Sequence, residues 1–421
     1  MCRSFRTVFR VFTFLCAFWL VLKAGNLEAE SHRFVLIDTQ TGQWVREKTL
    51  SSKNFEGIAK ASGWSVRKEV LHGGKQESVD LITLENGAMA IRIIPTRGMS
   101  ILDIKINDFR IGWESPVKEV VHPQWVNLES RGGIGWLEGF NEWMVRCGLE
   151  FAGHPGVDQF TDNTGAEAEM MLTLHGKVGN IPASRVELII DKAPPHRIRL
   201  RGTVYESMLF GPKLKLSTEV STIPGSTELT ISDEVTNMGS DPQELQLIYH
   251  TNFGVPLLSE GAEFIAPVQS VQPMNAAASK DVEAPWFYAA PTKGFIEQVY
   301  LMKLYADSNS ETLICLKNSE GNRAATIRYN VDELPCFTLW KNLTTIENGY
   351  VTGLEPGTSY PFNRRVERSH GRIPVLAADE TRQFTLRYEF LNSPEKIKET
   401  VEEIQKLQND RPTETLKSPP E

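Results

Sequence analysis

The sequence predicts an all-β chain, a large antiparallel β-sandwich with one C-terminal helix. Three observations carry this. From about residue 80 the chain is a succession of short apolar-alternating runs, recurring roughly every ten residues as in sandwiches. The separators APP, FGP, PGST and GSDP are turn chemistry. Helical periodicity is sparse until the last thirty or so residues.

At the N-terminus, Arg3, Arg6 and Arg10 precede the apolar run from Val11 to Leu22, and Lys23 ends it. A basic segment before a short apolar one reads as a signal peptide over residues 1–29. The run is shorter than the roughly 20 residues a spanning helix prefers. The expected location is therefore secreted or periplasmic, with no membrane span after removal; an uncleaved anchor is the other reading. Residues 30–75 read as an N-terminal extension carrying a strand or two. The sandwich spans 76–392. It opens on LITLENGAMAIRIIP, a hairpin turning at Asn86-Gly87. SILDIKIND, RVELIID, HRIRLRGTVYES, LKLSTEVSTI, ELTISDEVTN and ELQLIYHTNF come next as strands, then FTLWKN and QFTLRYEFLN.

Ser393 is a good N-cap, with Pro394 at the first helical position. Ile397, Val401, Ile404 and Leu407 then recur at helical spacing, predicting an amphipathic helix over 393–410 that lies on the sandwich. RPTETLKSPPE, 411–421, reads as a disordered tail. No second compact domain and no internal repeat is visible.

Composition is that of an ordinary globular chain: 421 residues, 41% hydrophobic, 23% charged. A net charge of −8 leaves no electrostatic footprint for nucleic acid. Of the five cysteines, Cys147, Cys315 and Cys336 remain once residues 1–29 are removed. Their spacing fits neither a metal site nor a disulfide framework, so buried thiols are expected.

The segment 114–156 is different in kind. It is dense in Gly, Trp and Phe and has no clean period. Trp113, Trp125, Trp136 and Trp143 lie in or beside it. Long irregular segments of this sort are often binding loops. Aromatic faces beside polar groups suit sugars, which have apolar C–H faces and hydroxyl rims. A simple cap on the end of the sandwich is the alternative.

Two stretches carry candidate chemistry. In LIYHTNFGVPLL, 247–258, alternation places Leu247, Tyr249 and Thr251 on one face and Ile248, His250 and Asn252 on the other. In TGLEPGTSYPFN, 352–363, Glu355 precedes a proline between glycines, which reads as a carboxylate on a rigid turn. His175 lies in TLHGKVGN, at a strand end before glycine, and His154 lies in GHPG. His32, His72, His196 and His370 sit in polar or turn-like contexts.

These landmarks carry a resemblance. Asn237 in VTNMG, the run His250–Gly254, the later Gly353–Pro356, the LHG at 174–176 and the PTRGMSILDIKIND strand occur in an order and rough spacing similar to the galactose mutarotase (aldose 1-epimerase) superfamily. The likeness covers residues 80–390. The run GWLEGFNEWMVRCGLEFAGHPG departs from the mutarotases proper and marks a bacterial branch beside them. The resemblance implies a supersandwich fold and a mono- or oligosaccharide partner. It implies His250 as general acid near the ring oxygen and Glu355 as general base at the anomeric hydroxyl; on chemical grounds, an ionised carboxylate and a histidinium on opposite sides of one ring would serve both directions of anomer exchange. It makes His175 a substrate-binding histidine. Arg146 or Arg97 would supply a sugar-binding arginine, and Asn252, Trp136 and Trp340 further sugar contacts. The family's substrate-binding aspartate has no counterpart here. Anomer exchange by an acid–base pair requires no cofactor and no metal. Two other readings keep the same site: a lyase or hydrolase acting on a modified or oligomeric glycoside, and a non-catalytic carbohydrate-binding protein.

Overall fold

A computed structural model describes residue 1, residues 30–55 and residues 63–420. Apart from Met1, the expected signal peptide lies outside the described residues. Two large sheets build the molecule. The ten-stranded sheet runs in the order 263–265, 311–317, 324–330, 381–391, 228–237, 213–222, 198–207, 185–191, 31–38 and 43–44. The consecutive hairpins from Ile198–Ser207 to Glu228–Asn237 fall on the runs that alternation picks out, because one face of each is buried. Leu188, Leu200 and Ile231 of this sheet pack with Ile82, Ile91 and Tyr249 of the other, in one core between the two.

The second sheet has thirteen strands. Five central ones hold most of the candidate functional residues: β1 (Met144–Leu149), β2 (Gln246–Phe253), β3 (Gln298–Leu304), β4 (Cys336–Asn342) and β5 (Val351–Gly357). Their order across the sheet is β3, β4, β5, β2, β1, and every neighbouring pair is antiparallel.

Four features differ from the sequence reading. Residues 30–75 carry more than the strand or two expected: Ser31–Asp38 pairs with Arg185–Asp191 in the first sheet, and Lys48–Ser51 and Ser65–Leu71 add strands to the second. Lys68 breaks the alternation there. It is buried and ion-paired with Asp80, so a charge stands where a core residue is expected. The 114–156 segment is not wholly irregular, because it contains β1. All six β1 residues are buried, and a strand covered on both faces shows no alternation. Glu355 lies inside β5 rather than on a turn; Pro356 and Gly357 continue the strand, paired with Phe337 and Cys336. Within 411–420 the chain returns to the sheet. Glu414–Thr415 pairs in parallel with Val268–Pro273, whose outer edge otherwise leaves backbone groups unpaired.

The C-terminal helix spans Pro394–Gln408, and the Ser393 hydroxyl caps it. Ile397 and Ile404 bury against Leu313, Cys315 and Leu391, on the outer face of the first sheet. Cys147, Cys315 and Cys336 are buried free thiols. Among the described residues, no helix is long and apolar enough to cross a membrane.

Candidate active site

Alternation along β2 separates two environments. Tyr249 and Leu247 join the core between the sheets. Ile248 points the other way, packing with Trp136, Phe140 and Leu174. His250 shares this outer face. Register then selects its neighbour. Ile248 stands opposite Gly357 and Thr251 opposite Leu354, so the same register carried between them sets His250 across from Glu355. On the other side of β5, Glu355 pairs with Thr338 of β4. Directly opposed side chains on one face of a sheet have Cβ atoms about 5 Å apart, so the backbone itself delivers the histidine to the carboxylate.

His250 Nε2 lies 3.2 Å from Glu355 Oε1. Both side chains are almost wholly buried. The contact is close without being a hydrogen bond, and neither Glu355 Oε1 nor His250 Nδ1 has a hydrogen-bond partner. A sugar ring cannot lie between two groups so close. The expected arrangement on opposite sides of one ring therefore gives way to a pair that approaches a ligand from one side. Burial pushes Glu355 well above the usual carboxylate range, and the Glu297 charge adds to this. Burial also pushes His250 well below the ordinary histidine value, with His175 adding and Asn252 opposing. Both shifts favour a protonated carboxyl beside a neutral imidazole, the reverse of the charge states that the expected roles of His250 as acid and Glu355 as base require.

The pair forms the floor of a cavity of about 350 Å³, within the size range of small-ligand pockets. Three aromatic rings wall it, their centroids near that of His250: Phe140 at 5.2 Å, Trp340 at 5.4 Å and Trp136 at 6.1 Å. His154, Pro155, Glu297 and Pro361 also line it.

Gly353 makes room for the carboxylate. A Cβ there would lie 2.3 Å from Glu355 Oε1 and 3.2 Å from the Trp340 ring. Gly353→Ala is accordingly expected to displace the Glu355 carboxylate and lower turnover by roughly tenfold to a hundredfold. The melting temperature should change little. Paired kinetics and thermal melts check this; an unchanged rate would mean that the carboxylate position does not matter.

His175 reaches the cavity from a left-handed backbone position, φ +60°, just before Gly176. A Cβ on Gly176 would lie 2.1 Å from the Phe151 carbonyl oxygen and 2.4 Å from that of Gly148, so the His-Gly step permits a packing that few other residues allow. His175 Nδ1 donates to the Ala152 carbonyl at 3.0 Å, which leaves Nε2 as the acceptor. Its ring meets His250 edge-on at 5.3 Å. Burial lowers its pKa from 6.5 to about 4. Protonation thus favours the unfolded chain. The stability His175 contributes is fully present above pH 6.5 and is lost as pH falls toward about 4. Thermal melts should show up to about 3 kcal/mol lost across that window, with His250 acting in the same direction. His175→Gln should flatten the dependence, and an equally steep profile in the variant would refute it.

Five of the eight residues singled out from sequence line the cavity: His250, Glu355, His175, Trp136 and Trp340. Three do not. Arg146 stands opposite Tyr249 and so faces the core between the sheets. It ion-pairs with Asp233 and donates to Thr218 at 2.7 Å, and the Tyr249 hydroxyl donates to the same aspartate at 2.9 Å. Arg97 donates to the carbonyls of Gly179, Val121 and Gly139 at 3.0–3.2 Å, and pairs with Glu142 at 2.9 Å. Asn252 donates to the carbonyls of Glu142 and His250. Arg97 and Asn252 brace the segment that carries Trp136 and Phe140, without reaching the ligand space.

The cavity residues without a sequence assignment are chiefly Phe140, His154, Glu297 and Thr338. His154 stands out only through its GHPG context. Glu297 has no local signal, because its place at the mouth depends on how β3 meets β4. Among the described residues, no group of three or more His, Cys, Asp or Glu side chains could hold a metal ion.

The family described as a domain of unknown function, DUF4432, matches residues 76–390. A Klebsiella pneumoniae structure described as a "putative aldose 1-epimerase" is 40% identical, with 93% of this chain and 99% of that one covered and a TM-score of 0.87. A galactose mutarotase-like protein from Clostridium acetobutylicum shares the fold at 15% identity, with 78% and 98% covered and a TM-score of 0.55. A Synechocystis protein does so at 14% identity, with 74% and 96% covered and a TM-score of 0.51. No curated protein matches by sequence. The chain belongs to the DUF4432 family and has the galactose mutarotase-like fold.

Proposed function

We propose that the chain is an aldose 1-epimerase-like isomerase that interconverts the anomers of a sugar bound over His250 and Glu355. One observation supports this most: an acid–base pair 3.2 Å apart, buried at the floor of an aromatic-walled cavity of small-ligand size. The 40% identity to the Klebsiella protein points the same way.

The chemistry rests on that contact. The anomeric hydroxyl and the ring oxygen are bonded to the same carbon, so two adjacent catalytic groups can address both at once. Ring opening removes a proton from the anomeric hydroxyl and delivers one to the ring oxygen as the C1–O5 bond breaks. The product is an open-chain aldehyde. Rotation about C1–C2 exposes the other carbonyl face. Reclosure takes the proton from the O5 hydroxyl and returns one to O1. The pair carries one exchangeable proton throughout, and its two members trade acid and base roles between opening and closing. Burial favours the neutral form of the pair, in which Glu355 holds the proton and His250 is ready to accept one. Trp136, Phe140 and Trp340 offer apolar faces to the C–H side of the ring, and His175 offers a fixed acceptor to a hydroxyl.

A lyase or hydrolase acting on an anionic glycoside would need a cation for the substrate charge, and the guanidinium of Arg146 is held by Asp233. Polarimetry on freshly dissolved α-anomers of neutral aldoses tests the proposal. Optical rotation of at least one should relax at a rate proportional to protein concentration. Saturable binding without any acceleration would make the chain a binding protein. A rising ultraviolet absorbance from an unsaturated product would make it a lyase.

A further inference from the structure

We infer that Glu297, at the mouth of the cavity, acts as a charge filter that favours neutral sugars and turns away anionic ones. The inference rests on the reading of this cavity as a sugar site.

Glu297 directly precedes β3 and is exposed at the cavity mouth. Its carboxylate is held in place: Trp340 Nε1 donates to Oε2 at 2.9 Å. A tethered charge at a rim has a defined direction, which a freely rotating one lacks. Oε1 faces no protein donor among the described residues, so it can accept from a ligand hydroxyl.

Among the described residues that line the cavity there is no lysine and no arginine. The titratable groups facing it are His154, His175, His250 and Glu355. Burial lowers the pKa of His154, with Glu297 opposing, and keeps His175 and His250 uncharged near neutral pH, so none of the three is a fixed cation. Arg97 and Arg146 are turned toward backbone carbonyls and Asp233. A uronate or sugar phosphate entering the cavity would meet a fixed negative charge and no fixed positive one. A neutral ring would instead offer hydroxyl donors to Glu297. Discrimination of this kind works by repulsion of the wrong ligand as much as by attraction of the right one.

Tryptophan fluorescence tests it, because Trp136 and Trp340 line the cavity. The probes are glucose, galactose and mannose, each against its uronate. The parent protein should bind at least one neutral member roughly tenfold more tightly than its uronate, and added salt should shrink the gap. Glu297→Gln keeps an acceptor for Trp340 and should narrow the gap to within about threefold. Glu297→Lys should reverse it; if that variant fails to fold, the Gln result decides. Equal binding of neutral and anionic sugars by the parent, or an unchanged gap in Glu297→Gln, would overturn the inference. Failure of every probe to bind would remove the sugar site and the inference together. The readout is binding, so it separates the two ideas. A parent that discriminates but does not exchange anomers overturns the epimerase reading alone. One that exchanges anomers of neutral and anionic sugars alike overturns the filter alone.

Discussion

Glu355→Gln is expected to slow anomer exchange by about 10³-fold, inside the range of roughly 10²–10⁴ that positioned acid–base groups supply. Glutamine matches the shape of the carboxyl group and fits the space above Gly353, but it cannot carry the proton. Sugar binding should survive, since the aromatic walls and His175 are untouched. The fold should survive as well. The native pKa of Glu355 lies above its ordinary value of 4.5. Its contribution to stability is therefore present below pH 4.5 and is lost as pH rises through the native value. Glutamine removes that loss, so the variant should melt no lower than the parent above neutral pH. Polarimetry and thermal melts on the same preparation check both halves. A rate within a few-fold of the parent would remove Glu355 from the mechanism.

Arg146→Ala should act in the opposite way. Removing one member of a buried ion pair leaves an uncompensated charge, at a cost of about 3–5 kcal/mol. Asp233 would keep only the Tyr249 hydroxyl and remain buried between the sheets. The denaturation midpoint should fall sharply, while turnover per folded molecule stays near that of the parent. A sugar-binding arginine would show the reverse, a raised KM with ordinary melting. Together the two variants separate the outer face of the large sheet, where the chemistry is proposed, from its inner face.

The same division explains what is legible in the sequence. The strands Ile198–Ser207, Lys213–Thr222 and Glu228–Asn237 can be read because alternation records one buried and one less buried face. His250, Glu355 and His175 stand out as polar residues within apolar runs or beside glycine and proline. Arg146 misleads because MVRCGL is buried on both faces and carries no period that would tell inside from outside. Its pairing with β2, visible only in three dimensions, turns it away from the cavity. Glu355 reads as a turn residue because Pro356 and Gly357 are turn formers in isolation, whereas here two flanking strands hold them extended. The opposed-sides geometry fails for a related reason: sequence order does not reveal that β2 and β5 are neighbours in register. Glu297 and Phe140 reach the cavity through tertiary placement alone.

The proposed mechanism depends on His250 and Glu355 passing one proton while a sugar opens and recloses. Exchange NMR on aldoses labelled at C1 observes that event at equilibrium. Cross-peaks between the α and β anomers of a neutral aldose should build up in proportion to added protein and fall to the buffer level in Glu355→Gln. Cross-peaks that grow no faster than in buffer for every neutral aldose, or equally fast with Glu355→Gln, would contradict the mechanism.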